Sequence, residues 1–182
     1  MGIITDETVY KGRPDRSTRI DKENDAYDFL ENAGVEFSRV DHAPVDTIEE
    51  CAEVKALLGL GLCKNLFLSN YQRTRYYLLV MHGEKKFSTA VVSKQIASSR
   101  LSFAPKEDME KLLNLTPGSV TVLGLMYDKE NKVRLLIDKD IFEDENFGCH
   151  PMINTSSIKF STGDLKEKVL PALAHEYTLV EV

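Results

Sequence analysis

The sequence predicts a single α+β domain around a mixed, strongly curved β-sheet. Three observations carry that reading. Apolar segments of strand length are interspersed with segments of helical period. The connections between them are short, and no repeat or long linker divides the chain. With 182 residues, 42% of them hydrophobic and 29% charged, the chain can bury one core at ordinary globular composition.

Residues 1–20 are charged and weakly patterned, and are read as a polar N-terminal arm; the domain proper is 21–182. A helix is predicted over 21–33, where Ala26, Phe29, Leu30 and Ala33 recur at helical spacing before Gly34. Residues 35–40 read as a short strand that ends at His42-Ala43-Pro44. Thr47-Ile48-Glu49-Glu50 is a capping box opening a helix that runs to Leu58 and stops at Gly59. Residues 63–70 and 75–82 read as an antiparallel hairpin joined by the polar 71–74. Gly83-Glu84 turns the chain into a helix over 88–97, and Leu101-Ser102-Phe103 is a short strand. Pro105 suits the first turn of a helix carrying Met109, Leu112 and Leu113. Thr116-Pro117-Gly118 is a turn before a strand expected over 119–123. In 133–138 the alternation puts Val133, Leu135 and Ile137 on one face. Strands over 146–149 and 156–160 flank a His-Pro loop. A last helix from 162–164 buries Leu165, Val169 and Leu173 and has to accommodate Pro171, and 177–182 closes as a strand.

Several function classes fall away on composition. Three scattered cysteines form no disulfide framework, and no CxxC or Cys/His pair has zinc spacing, which suits a reducing cytoplasm. No apolar run approaches membrane-spanning length, so no membrane partner is expected. A net charge of −6 argues against nonspecific coating of DNA or RNA. The distribution is more informative. Residues 72–106 hold seven basic side chains (Arg73, Arg75, Lys85, Lys86, Lys94, Arg100, Lys106) against Glu84 alone, a local balance of +6. That stretch suits a polyanion docked at one place, and equally a solvated sheet rim.

Two short stretches carry the candidate chemistry: Cys63-Lys64-Asn65-Leu66-Phe67-Leu68, and Gly148-Cys149-His150-Pro151 with Asn154-Thr155. Period two puts Lys64 with Leu66 and Leu68, and Asn65 with Phe67. Lys64 can hold an anion at a strand end, or snorkel at a sheet edge. His150, fixed by Pro151, can act as a general base, orient a substrate, or bridge a turn. Cys149 is the obvious thiol nucleophile, yet adjacent side chains on an extended segment face apart, so His150 does not activate it and a buried apolar role is favoured. The four histidines are isolated from any ligand motif, no phosphate-binding glycine loop is present, and no metal or cofactor is expected.

Together these elements resemble the YbaK/ProX aminoacyl-tRNA editing family, related to the editing insertion of bacterial prolyl-tRNA synthetase. The residues that carry the resemblance are His42-Ala43-Pro44, residues 63–68, Arg100-Leu101-Ser102-Phe103-Ala104, Leu115-Thr116-Pro117-Gly118-Ser119-Val120-Thr121, and Gly148-Cys149-His150-Pro151 with Asn154-Thr155. They occur in the family's order from about residue 21 onward. The resemblance implies a barrel-like sheet wrapped by helices, and metal-independent hydrolysis of a mischarged aminoacyl-tRNA, Ala-tRNA(Pro) foremost. It implies Lys64, Gly118 and His150 as catalytic residues, and Asn65, Ser119, Val120, Gly148, Pro151, Asn154 and Thr155 as the substrate-binding wall. Lys85, Lys86, Lys94 and Arg100 would hold the tRNA, with prolyl-tRNA synthetase as a further partner. In the family the ribose hydroxyl of the substrate helps to activate water. A module of the same fold that binds a tRNA end, an amino acid or a synthetase without turnover is the alternative. Where many relatives carry proline and phenylalanine after Gly-Ser-Val, this chain has Val122 and Leu123, which bears on pocket size.

Overall fold

A computed structural model of the protein describes residues 7–44, 52–61 and 63–182; the expected capping box at 47–50 lies outside them. The strands are β1 (Tyr10–Lys11), β2 (Ser38–Asp41), β3 (Cys63–Asn70), β4 (Tyr76–His82), β5 (Leu101–Phe103), β6 (Val133–Asp138), β7 (Asn146–Cys149), β8 (Ser156–Ser161) and β9 (Tyr177–Val180). The main helices are α1 (Asp21–Asn32), α2 (Ala52–Leu58), α3 (Thr89–Gln95) and α4 (Lys106–Leu113). The C-terminal helix runs as an α turn, Thr162–Asp164, a π segment, Leu165–Val169, and a second α turn, Leu170–Leu173.

The strands form two sheets and not one barrel. One has the order β1-β2-β8-β7 and is antiparallel; the other has the order β5-β3-β4-β6-β9 and is mixed. Among the described residues each sheet keeps two edges, so the expected barrel does not close. Their inner faces share the main core: Phe67, Leu78, Val80, Leu135 and Ile137 from the larger sheet meet Phe147, Ile158 and Phe160 from the smaller, with α1, α4 and the C-terminal helix around them. The outer face of the larger sheet, with Tyr77, Leu79, Met81 and Leu136, is covered by Val92 and Ile96 of α3. Val54 and Leu58 of α2 cover the outer face of the smaller sheet at Val40.

Local chemistry explains most boundaries. Gly34 takes φ +69 after α1, its N–H reaching Glu31 O and that of Val35 reaching Leu30 O, a pair of hydrogen bonds that stops the helix. The expected strand at 35–40 therefore pairs only from Ser38. Residues 119–123 are not a strand. Thr121 is extended and accepts from Leu123 N–H, and Val122–Tyr127 winds as a 3-10 helix. Val122, Leu123 and Leu125 are all buried there, so the run needs a conformation that buries every side, and no described strand pairs with it. A Cβ on Gly124 would lie 2.6 Å from Cδ1 of the fully buried Leu115, so any side chain there would have to displace it. Pro171 is accommodated by the π segment, whose wider turn brings Leu170 N–H to Leu165 O. Residues 10–20 lie against the domain: β1 pairs with β2, and Arg13 and Arg16 both bind Asp28 of α1.

Candidate functional site

β7 ends at Cys149, and the loop after it returns the chain antiparallel into β8. Pro151 and Met152 are buried, Met152 with φ +68, which seats the loop on the core and leaves His150, Asn154 and Thr155 half-buried at its surface. His150 Nδ1 lies 2.8 Å from Ser156 O and 3.5 Å from Ser157 Oγ. A carbonyl only accepts, so Nδ1 carries the proton and neutral His150 presents a lone pair at Nε2. Among the described residues Nε2 has no hydrogen-bond partner.

His42 completes the arrangement. Its Nδ1 donates to Ala43 O at 2.8 Å, so Nε2 is the acceptor of the Ser157 hydroxyl at 2.9 Å. Its own N–H donates to Thr155 O at 3.0 Å, tying β2 to the His-Pro loop. Burial lowers the pKa of both imidazoles from 6.5, and each also depresses or is offset by its surroundings: carbonyl hydrogen bonds work against burial, while His42 pushes His150 further down. His42 was visible in the sequence only as part of His-Ala-Pro; its approach to His150 across 108 positions needed the sheet.

The first stretch splits across β3. Asn65 lies opposite Val80 and Lys64 opposite Met81, and those partners belong to the inner and outer faces of the larger sheet. Asn65 Oδ1 is buried without a hydrogen-bond partner among the described residues, an acceptor suited to a ligand N–H or O–H. Lys64 Nζ instead donates to Lys85 O at 3.0 Å. No hydrogen bond or ion pair joins Lys64 to His150 among the described residues. Cys63 and Gly148 do meet, a backbone hydrogen bond from Gly148 partly offsetting the burial that pushes the Cys63 thiol up to about 12. A Cβ on Gly148 would fall 2.7 Å from Leu60 Cδ1, so this glycine admits the chain after α2 onto β7.

The turn at 116–119 is closed by Ser119. Its N–H and Oγ both reach Thr116 O, at 3.0 and 2.9 Å, so the hydroxyl of this buried residue serves the turn. Gly118 is exposed with φ +86, and Val120 packs half-buried against the main core. Cys149 is buried beside Thr121, its thiol pushed up to about 12 chiefly by desolvation, which is the state of a packed side chain and not of a nucleophile. Among the basic residues, Lys86, Lys94 and Arg100 are exposed, whereas Lys85 is 2.6 Å from both Asp138 and Asp140. A cleft of about 570 Å³ opens here, lined by Lys55, Leu60, His82, Lys85, Asp144 and Asn146 among others; of the residues expected from the sequence it takes in only Lys85. No group of three or more His, Cys, Asp or Glu gathers as a metal site among the described residues, and no described helix is long and apolar enough to cross a membrane.

Fold and site define a single-domain α+β protein with a neutral histidine, an unpartnered amide oxygen and a glycine-supported turn on elements far apart in sequence. Residues 42–168 match the family model of the aminoacyl-tRNA editing domain, and the chain belongs to that family. It is 29% identical over 153 residues to the prolyl-tRNA editing protein ProX of Acetoanaerobium sticklandii, covering 84% of this chain and 93% of that one. It is 26% identical over 148 residues to a prolyl-tRNA synthetase associated domain-containing protein of Danio rerio, covering 80% of each. A crystal structure described as that of a candidate trans-editing enzyme for prolyl tRNA synthetase shares the fold, with a TM-score of 0.64 and 12% identity over 90% of this chain and 99% of that one.

Proposed function

We propose that this protein is a trans-acting aminoacyl-tRNA deacylase that hydrolyses the ester on tRNA mischarged by prolyl-tRNA synthetase, with Ala-tRNA(Pro) as its preferred substrate. The observation that carries the reading is His150, whose Nδ1–H is held by Ser156 O while Nε2 is left open. A neutral imidazole so oriented accepts a proton from water, or from the ribose hydroxyl that activates it. Water adds to the ester carbonyl, the carbon–oxygen bond to the ribose breaks, and the ribose oxygen leaves with a proton. The chemistry uses no metal and no covalent intermediate, and depends on positioning.

Asn65 Oδ1, buried and unpartnered, suits the ammonium of the aminoacyl group. Gly118, Ser119 and Val120 form one wall and Gly148, Pro151, Asn154 and Thr155 the other. Lys64 takes the terminal phosphate or ribose, and Lys86, Lys94 and Arg100 the acceptor stem. Such a wall excludes proline by its ring, whereas Gly enters at a cost of only about 1–3 kcal/mol for the missing methyl and an apolar pocket rejects the added hydroxyl of Ser only weakly, so Gly and Ser esters are secondary substrates.

Release of labelled amino acid from alanyl-tRNA(Pro), prolyl-tRNA(Pro) and alanyl-tRNA(Ala) tests this, for wild type, Lys64→Ala and His150→Ala. Selective release of alanine from tRNA(Pro), lost in both variants, is expected. Binding of all three tRNAs without release from any would overturn hydrolysis and leave a binding module.

A further inference from the structure

Lys85 belongs to the basic stretch expected to meet RNA, but its surroundings assign it elsewhere. Its ammonium stands 2.6 Å from a carboxylate oxygen of Asp138 and 2.6 Å from one of Asp140. Asp138 is fully buried on β6, neither of its carboxylate oxygens has a hydrogen-bond partner among the described residues, and the Lys85 ammonium beside Oδ2 is the cation paired with it. With a carboxylate at 2.6 Å on each of two sides, the Lys85 ammonium is already engaged and is not a free phosphate contact. The same residue's N–H donates to His82 O at 3.2 Å and closes the turn after β4, while its carbonyl accepts from Lys64 Nζ at 3.0 Å.

We propose that Lys85 is a positioning residue: anchored by Asp138 and Asp140, it fixes the backbone carbonyl that aims the ammonium of Lys64. Sequence alternation puts Lys64 on the outer face of β3, where a long flexible side chain has many conformers. The Lys85 carbonyl selects one of them, and the buried carboxylate on β6 holds that carbonyl in register with β3. The paired acids hold the Lys85 ammonium protonated above the ordinary lysine range, against the effect of burial, so the anchor persists at neutral pH. Lys86, the next residue, is exposed and free to contact RNA, and the two neighbours divide the work.

This rests on the deacylase reading for its kinetic arm, and a second arm is independent of it. Lys85→Met keeps the backbone and removes the ammonium; Lys85→Arg keeps the charge; Asp140→Asn weakens the anchor where the buried Asp138 remains paired. Lys85→Met is expected to lower kcat for alanyl-tRNA(Pro) by roughly tenfold to a hundredfold, the effect of misplacing one group by an ångström. KM and the slope of log Kd for tRNA against log salt stay as in the wild type, Lys85→Arg recovers most of kcat, and Asp140→Asn falls between. An unchanged kcat with the salt slope reduced by about one would instead make Lys85 a phosphate contact and overturn the proposal. The independent arm is the side-chain ammonium signal of Lys64 in 15N NMR without tRNA. A slowly exchanging Lys64 signal, lost in Lys85→Met and weakened in Asp140→Asn, supports the positioning even for a wild type that hydrolyses nothing. An averaged Lys64 signal in the wild type, or one indifferent to Asp140→Asn, sinks it even if Lys85→Met fails to fold.

Discussion

The rings of His150 and His42 stand 6.0 Å apart, centroid to centroid, and Ser157 Oγ reaches a nitrogen of each. Both Nδ1 protons are committed to backbone carbonyls, so the pair is built for the neutral state. Protonating either ring puts a charge in a largely desolvated place beside the other.

The first consequence concerns pH. Both histidines have folded pKa values lowered from 6.5, so below 6.5 the unfolded chain binds protons that the folded one refuses. The stability of the pair is fully present above pH 6.5 and falls as pH drops through the lowered values. Thermal denaturation between pH 8 and pH 5 should give a midpoint that these groups leave flat above 6.5 and lower beneath it. The double variant His42→Gln, His150→Gln should lose that part of the decline; a decline of the same size would refute the assignment.

Gly118 sits at φ +86 in an exposed turn. Gly118→Ala should destabilise by about 1–2 kcal/mol through backbone strain alone. On the proposed function it should also cut hydrolysis by displacing a wall of the pocket, readable as single-turnover release at a temperature where the variant remains folded.

Gly148 and Leu60 form a coupled pair. Gly148→Ala places a methyl 2.7 Å from Leu60 Cδ1, the far end of a half-buried side chain, and should cost about 1–3 kcal/mol by overpacking. In the Leu60→Ala background the same change should cost much less. Urea denaturation of the four proteins of this cycle measures the coupling, and strict additivity would mean the clash is relieved elsewhere.

Cys149 should be chemically silent. With its thiol pushed up to about 12 and buried, almost no thiolate exists at pH 8. Native protein treated with iodoacetamide at that pH should show no modification of Cys149 by mass spectrometry, and Cys149→Ser should keep its hydrolytic rate. Rapid alkylation with loss of activity would revive a cysteine-dependent hydrolase.

Lys94 and Arg100 are exposed, with no ion-pair partner among the described residues. Replacing both by Gln should weaken tRNA binding uniformly across sequences and reduce the magnitude of the salt slope by about 2, with kcat retained. Filter binding at four salt concentrations decides it; an unchanged slope would move the acceptor stem to another face.

Much of the architecture was legible because it depends on local pattern. The alternation in 133–138, the hairpin from Cys63 to His82 and the stop at Gly34 appear where the sequence puts them. The expected strand at 119–123 fails for a local reason too: Val120, Val122 and Leu123 satisfy strand propensity, yet no described strand pairs with them, and from Val122 the chain winds as a 3-10 helix with Leu115 close against Gly124. Propensity records how a residue fits a pleated surface and not whether a neighbour is there to pair with. The two open sheets in place of a barrel have the same origin, since edge pairing is decided between strands distant in the chain.

For the site the division is sharper. Residue types and spacing determined on their own that Lys64 and Asn65 take opposite faces, that Pro151 stiffens the chain after His150, and that Cys149 lacks an activating neighbour. The tertiary structure alone decided which atoms meet: His42 with Ser157 and His150, Asn65 Oδ1 with no partner among the described residues, and Lys85 between Asp138 and Asp140. The physical reason is range. Backbone alternation and capping act within a few residues and are written in the local sequence, whereas hydrogen bonds and charge pairs act over about 3 Å in space between positions that only the packed sheets bring together.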